Sequence, residues 1–321
     1  MQYMTRTSEK KEKGKAEATE KFQVAFFDIK QYDIESFEKA IAQYQERNKS
    51  AQIVPKWFEE KLDSRTVHFA DKSQAVCCFV NDTVDRSVIE RLSRMGVKQI
   101  VMRCAGYNNV DLKAAKTYGI PVVRVPAYSP NAVAEHAVAL LMTLNRKIHK
   151  AYNRTREMNF SLTGLVGFDL GGSGAKTVGV IGTGKIGQIF AKIMTGFGCK
   201  VLLFDLYPNK QFADEIKSKY CDSLDEIWEH ADVISLHVPL FDSNKHMINA
   251  NSLKKMKKGV VIINTSRGPL VDTEALIEAL KTGHVAGAGL DVYEFERSLF
   301  FSDKSGEVLT DDILARLTSF K

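Results

Sequence analysis

The sequence predicts an α/β protein of two domains, each a parallel sheet flanked by helices. Three observations carry that prediction. Apolar, β-rich runs alternate with helical patterns over residues 23–125, which argues for a parallel sheet. Over residues 177–205 a strand, a glycine turn, a helix, a second strand and an acid follow one another, which is a βαβ unit. Finally, 321 residues suffice for two sizeable cores.

In chain order, residues 1–21 are rich in Lys and Glu and have almost nothing to bury. A disordered polar tail is expected there rather than a secretory or organellar leader. The first domain spans 22–130. It opens with a strand over 23–29 and a helix from Ile34 to about Arg47, whose apolar side carries Phe37, Ile41 and Tyr44. Residues 48–63 read as irregular. Short strands are expected at 66–69 and 75–80, a helix at 85–95 and a strand at 98–103. Gly106 then marks a sharp turn, Asp111 opens a helix, and a strand over 121–125 closes the unit.

The second domain, 131–321, begins with a long helix over 131–152, apolar around most of its middle and therefore buried. His136 and His149 on it read as packed or capped structural histidines. A glycine-rich loop over 164–174 leads to the strand 177–181, which runs into Gly182-Thr183-Gly184-Lys185-Ile186-Gly187. The helix that follows places Ile186, Ile189, Phe190, Ile193 and Met194 on one face, and Gly198 stops it. The next strand, 201–204, ends on Asp205. Later strands are expected at 233–238, 260–266 and 286–292, with helices at 223–230 and 272–281 and His284 in solvent at the last helix's exit.

Each glycine of the turn has its own task. Gly182 permits the tight turn, Gly184 lets the backbone approach a pyrophosphate, and Gly187 lets the helix pack on the strand. Amides from Lys185 and Ile186 face the phosphate charge. The Asp205 carboxylate can accept both ribose hydroxyls of adenosine and repels a 2′-phosphate, which indicates NAD rather than NADP. Val238-Pro239 ends a strand where a flat adenine can rest, and His237 and His246 flank that edge, away from the chemistry. Arg267, at a strand's end before Gly268, is a planar fork that can bind a 2-oxo acid's carboxylate and polarise its carbonyl. Residues 103–111 form a glycine turn with successive exposed amides, a cradle for a carboxylate.

Composition excludes other classes. Hydrophobic content of 44%, charge of 26% and a net charge of +6 are ordinary for a globular chain and do not demand nucleic acid. No apolar run approaches the length that spans a bilayer. Five scattered cysteines form neither a disulfide framework nor a metal-ligand pattern, so buried thiols, a reducing cytoplasmic setting and no metal are expected.

Six motifs in order resemble the D-specific 2-hydroxyacid dehydrogenase family. They are RCAGYNNVD (103–111), PAYSPNAVAEHA (126–137), GTGKIG, HVP, NTSRG (264–268) and DVYEFE (291–296). With the segment 297–312, they most resemble the fermentative D-lactate branch. The resemblance implies a flavodoxin-like substrate domain, a Rossmann NAD-binding domain, a small 2-oxo or 2-hydroxy acid substrate and a homodimer. It also implies roles. Arg267 would bind and polarise the substrate, and Glu296 would pair with the catalytic histidine. Ala105 and Gly106 would offer amides to the substrate carboxylate, and Tyr128 would line its pocket. Lys185 and Ile186 would meet the pyrophosphate and Asp205 the ribose. Val238, Pro239, Asn244, Thr265 and Ser266 would line the cofactor cleft, and Asp291 would hold the nicotinamide carboxamide. The family's proton donor lies in a His-Gln-Ala-Phe-like stretch past Lys321, and none of the seven histidines present takes that position. The chain is therefore expected to bind NAD(H) and to turn over poorly. Two other accounts stay open: a dehydrogenase of the hydroxypyruvate or glycerate type, and a non-catalytic NAD-binding protein.

Overall fold

A computed structural model describes residues 20–296, 299 and 303–320. The expected tail, save Glu20 and Lys21, and part of the 297–312 segment lie outside the described residues. The chain divides into two compact units, the first ending at Tyr128 and the second beginning at Ser129.

The first unit runs β1 (Glu20–Phe26), α1 (Gln31–Arg47), β2 (Ala51–Trp57), β3 (Ala75–Cys78), α2 (Arg86–Arg94), β4 (Gln99–Met102), α3 (Leu112–Thr117) and β5 (Val122–Arg124). Its sheet is parallel throughout, in the order β2-β1-β3-β4-β5. That is the flavodoxin-like order. Val76, Cys78, Val88, Ile89, Leu92, Ile100 and Met102 form its core. Helix starts follow side-chain chemistry: Asp85 accepts from the Val88 amide and Asp111 from the Ala114 amide.

Two expectations fail in this unit. Residues 48–63 are not irregular, because Ile53, Val54 and Trp57 lie in β2. β2 is an edge strand, where its Pro55 is tolerated. Residues 66–69 are not a strand, and Val67–Ala70 is a 3-10 turn. The Asp63 carboxylate draws in the amides of Arg65 and Thr66, and this local pairing overrides the β-propensity of Thr and Val.

The second unit begins with α4 (Pro130–Arg146) and α5 (Ile148–Arg156), then β6 (Thr177–Ile181), α6 (Lys185–Gly196), β7 (Lys200–Phe204) and α7 (Lys210–Glu215). It continues through β8 (Lys219–Tyr220), α8 (Leu224–His230), β9 (Val233–Leu236), α9 (Ala250–Lys255) and β10 (Val260–Asn264). α10 (Thr273–Lys281), β11 (Val285–Leu290) and α11 (Asp312–Thr318) complete it. The parallel sheet has the order β11-β10-β9-β6-β7-β8. The strand order reverses between β6 and β9, the switch point where an open α/β sheet binds its ligand. Among the described residues no helix is long and apolar enough to cross a membrane.

The single helix expected over 131–152 is two helices. Lys147 sits at φ +54, in the left-handed region, and separates them. Just before the break, the buried Asn145 side chain bonds both the amide and the carbonyl of Phe168, tying the end of α4 to the following loop. His149 is exposed rather than packed. His284 is only partly exposed, and its Nε2 lies 2.7 Å from the Leu253 carbonyl oxygen. All five cysteines are buried and none forms a disulfide.

Candidate active site

The glycine turn closes the end of β6 against the end of β9. Gly182 has φ +91, and a Cβ there would lie 2.6 Å from the His237 carbonyl oxygen. A Cβ on Gly187 would lie 1.9 Å from the Gly182 carbonyl oxygen, so α6 packs on the turn backbone to backbone. Gly184, the N-cap of α6, is different: no heavy atom lies within 4 Å of where its Cβ would be. The first amide to reach back along the helix is Gln188, to the Gly184 oxygen at 3.0 Å. Helix geometry therefore leaves the amides of Lys185, Ile186 and Gly187 for a ligand, at the positive end of the helix dipole. His237 lies beneath the turn, its ring against Phe190 and its Nε2 2.9 Å from Ser235 Oγ. Burial pushes its pKa down to about 4, so it is a neutral floor under the turn.

Asp205 follows β7 at the same edge of the sheet. Its Oδ2 accepts from the Thr183 amide at 2.6 Å and the Thr183 hydroxyl at 3.1 Å, and its Oδ1 accepts from the Tyr207 amide at 2.9 Å. The expectation of two ribose hydroxyls on this carboxylate needs correction, because Oδ2 is already filled from within the protein.

Around the end of β10, polar side chains cross-brace the backbone. The buried Asn264 accepts from the Ser266 amide at 3.0 Å and donates to the Arg267 carbonyl at 2.9 Å. This turn ends the strand two residues earlier than expected and holds Arg267 at its tip. Ser266 Oγ donates to the Val238 carbonyl at 2.5 Å, and Asn244 donates to the Pro239 carbonyl at 2.8 Å. The ends of β9 and β10 are thereby joined. Thr265 Oγ1 is buried with no protein partner. An orphaned hydroxyl, the open space over Gly184 and the carboxylate of Asp205 together fit a dinucleotide.

The segment after β11 passes over Gly268, where a Cβ would lie 2.1 Å from the Tyr293 carbonyl oxygen. Within it, Glu296 accepts from the Tyr293 amide at 2.7 Å. Burial raises its carboxyl pKa and the Asp291 charge adds to this, while the Tyr293 amide and the Arg267 charge oppose the rise. Asp291 holds the Asn264 carbonyl through its own amide at 3.0 Å. Its carboxylate faces His136 Nε2 at 3.2 Å, so His136 is half-exposed and paired rather than packed. Glu294 is nearly buried: it accepts from the Thr273 amide and hydroxyl, and its Oε1 lies 2.5 Å from His246 Nε2. Among the described residues no histidine is paired with Glu296. Sequence reasoning assigned Asn264 and Glu294 no role and His136 only a packing role, although all three lie inside the NTSRG, DVYEFE and PAYSPNAVAEHA motifs.

In the first unit, Ala105 and Gly106 follow β4. The Ala105 carbonyl accepts from Arg124 Nη1 at 3.0 Å, and the Arg124 guanidinium lies 5.4 Å from the Tyr107 ring centre. Tyr128, at the unit's end, is 70% exposed.

A doubly wound sheet with a glycine turn at its switch point and an acid one strand away defines a dinucleotide-binding domain. Residues 138–311 match the family model described as "D-isomer specific 2-hydroxyacid dehydrogenase, NAD binding domain". The chain is 50% identical over 296 residues to the D-lactate dehydrogenase of Escherichia coli, covering 92% of this chain and 86% of that one. The apo-structure of the E. coli D-lactate dehydrogenase superposes with a TM-score of 0.76 at 47% identity, over 93% of this chain and 86% of that one. A D-lactate dehydrogenase from Aquifex aeolicus complexed with NAD and lactic acid superposes with a TM-score of 0.79 at 34% identity, over 92% and 84%. The chain belongs to the D-isomer-specific 2-hydroxyacid dehydrogenase family, and its cofactor is NAD.

Proposed function

We propose that this chain interconverts D-lactate and pyruvate by NAD-dependent hydride transfer. The observation that carries this reading is the Arg267 fork, held at the end of β10 by Asn264 and in electrostatic contact with the half-buried Glu296. It is supported by likeness to relatives named for D-lactate.

Bound NAD supplies the hydride acceptor or donor. The chain's own residues do the rest. The α6 amides and the space over Gly184 hold the pyrophosphate, Asp205 takes the ribose, and Thr265 donates its unpartnered hydroxyl to the cofactor. Val238, Pro239, Asn244 and Ser266 form the wall of the cofactor cleft, and Asp291 orients the carboxamide. Arg267 binds the substrate carboxylate and draws electron density from the adjacent carbonyl, stabilising charge that grows on its oxygen. Arginine keeps its proton at neutral pH, so it orients and stabilises but does not donate. Glu296 is a carboxylate that would lift the basicity of a proton carrier placed beside it, and that carrier would have to deliver the proton that the growing alkoxide takes up. The amides of Ala105 and Gly106 suit a carboxylate, and Tyr128 supplies an aromatic wall.

Two further assignments complete the reading. The chain works as a homodimer, supported by an apolar run after α5 in which Met158, Phe160, Leu162 and Val166 are 76%, 71%, 80% and 84% exposed. A cytoplasmic setting is supported by five buried cysteines without a disulfide.

The test is pyruvate-dependent oxidation of NADH at 340 nm, run beside hydroxypyruvate and, in reverse, with D- and L-lactate. Preference for pyruvate and for D-lactate is expected. Preference for hydroxypyruvate, or oxidation of L-lactate, refutes the assignment. Light scattering of the purified chain reads the dimer.

A further inference from the structure

We infer that Tyr220 and Thr183 govern the choice of NAD over NADP by holding the Asp205 carboxylate in place. The inference rests on the reading of Asp205 as the ribose acceptor and extends it to two residues linked in series to its carboxylate.

The geometry is a chain of hydroxyls. Tyr220 OH lies 2.8 Å from Thr183 Oγ1, which lies 3.1 Å from Asp205 Oδ2. A threonine hydroxyl has one proton, and an ionised carboxylate can only accept. The Thr183 proton therefore goes to Asp205, and the Tyr220 phenol must donate to Thr183. The chain has a direction, from phenol to hydroxyl to carboxylate. The Thr183 amide adds a second donor to Oδ2 at 2.6 Å. With two donors, Oδ2 is saturated. Oδ1 already takes the Tyr207 amide at 2.9 Å and keeps one open acceptor position.

The anchors are rigid and come from separate elements. Thr183 is buried in the glycine turn, and Tyr220 lies in β8, paired to β7 at Leu203. Asp205 follows β7 directly. A carboxylate so tethered presents one fixed acceptor to a ribose hydroxyl, and it cannot swing aside for a 2′-phosphate. That phosphate carries nearly two negative charges at neutral pH and has no proton to offer. Discrimination thus depends on the tether as well as on the charge. A loose aspartate would retain the charge and lose much of the selectivity.

The test is binding alone, on the full chain. NADH is titrated by its fluorescence and NADPH by competition, and the readout is the ratio of the two affinities. Tyr220→Phe should weaken NADH by about 3- to 10-fold, the worth of one hydrogen bond, without weakening NADPH, so the ratio narrows. Thr183→Val, which removes the link, should narrow it further, and Thr183→Ser, which keeps it, should restore the wild-type ratio. If Tyr220→Phe and Thr183→Val leave the ratio unchanged, or lower both affinities by one factor, the tether is merely structural and the inference is overturned. Asp205→Asn separates the layers. An unchanged ratio there removes Asp205 from ribose recognition altogether, whereas a narrowed ratio there with none in the tether variants refutes the tether only.

Discussion

Gly184 and Gly187 stand three residues apart in one turn, and the structure predicts opposite consequences for the same methyl group. At Gly184 the backbone has φ −65 and ψ −172, which alanine adopts without strain, and nothing lies within 4 Å of the new Cβ. A weaker N-cap is opposed by the lower entropy of the unfolded chain, so Gly184→Ala should change stability by less than about 1 kcal/mol. For a unit of this size that is a shift of at most about 4 °C in Tm. The methyl does fill the space where a pyrophosphate would approach the α6 amides. Loss of one hydrogen bond to a charged group costs about 1.5–3 kcal/mol, which is roughly 10- to 150-fold in NADH affinity. At Gly187 the methyl would lie 1.9 Å from the Gly182 carbonyl, well inside van der Waals contact. Either α6 or the turn must move, at about 1–3 kcal/mol or more, and Tm and NADH affinity should fall together. Thermal melts beside NADH titrations read both. Wild-type NADH affinity in Gly184→Ala would falsify the placement of the pyrophosphate, and a Gly184→Ala melt as low as that of Gly187→Ala would contradict the packing account.

Three further outcomes are expected. His237 keeps a pKa of about 4 when folded against about 6.5 unfolded, so the unfolded chain takes up a proton that the folded site refuses. Its contribution is intact above pH 6.5 and falls by about 3 kcal/mol as the pH drops to 4; His237→Phe should flatten the melt-versus-pH curve in that window, and an unchanged slope removes His237 as the cause. Gly268→Ala places a Cβ 2.1 Å from the Tyr293 carbonyl, so it should displace the segment carrying Asp291 and Glu296 and weaken pyruvate binding to the NADH-loaded protein by at least about tenfold; wild-type pyruvate affinity would show that the segment does not shape the site. Arg267→Lys replaces a planar fork with a point charge and should weaken pyruvate by about 10- to 100-fold while leaving NADH affinity alone; equal loss of both ligands would assign Arg267 to the cofactor.

Residues that declare themselves by type were legible before the structure. The βαβ run into Gly182, the acid at the end of β7 and the arginine at the end of β10 all stand where periodicity and turn chemistry indicated. The failures have a common origin in contacts that no local pattern announces. Lys147 breaks a helix in a conformation that favours glycine, after Asn145 has bonded a loop 23 residues away. Residues 66–69 have a strand-like composition, but the Asp63 carboxylate takes the amides of Arg65 and Thr66 and its carbonyl takes that of Val67, which closes a turn. Residues 51–57 read as irregular because the sequence alone does not reveal a strand at the sheet's edge, where Pro55 is tolerated.

The same division runs through the site. Residues that would meet the ligands are visible because their chemistry is specialised: a glycine, a guanidinium, a carboxylate at a strand end. The residues that aim them look ordinary. Asn264 turns the chain at Arg267, Ser266 joins the ends of β9 and β10, Glu294 fastens its segment to Thr273 and His246, and Tyr220 reaches Asp205 through Thr183. Each brace is a polar group removed from water, which is costly to bury without a partner and therefore holds its geometry once partnered. Five parallel junctions connect the six strands of the second unit, and these braces lie at or beyond the ends of its strands. Backbone hydrogen bonds stop where the strands stop, so side chains must supply the rigidity that positions Arg267 and Asp205 beyond that point. Precision at the site is thus a property of the supporting polar contacts, and substitutions there should degrade ligand discrimination before they degrade the fold.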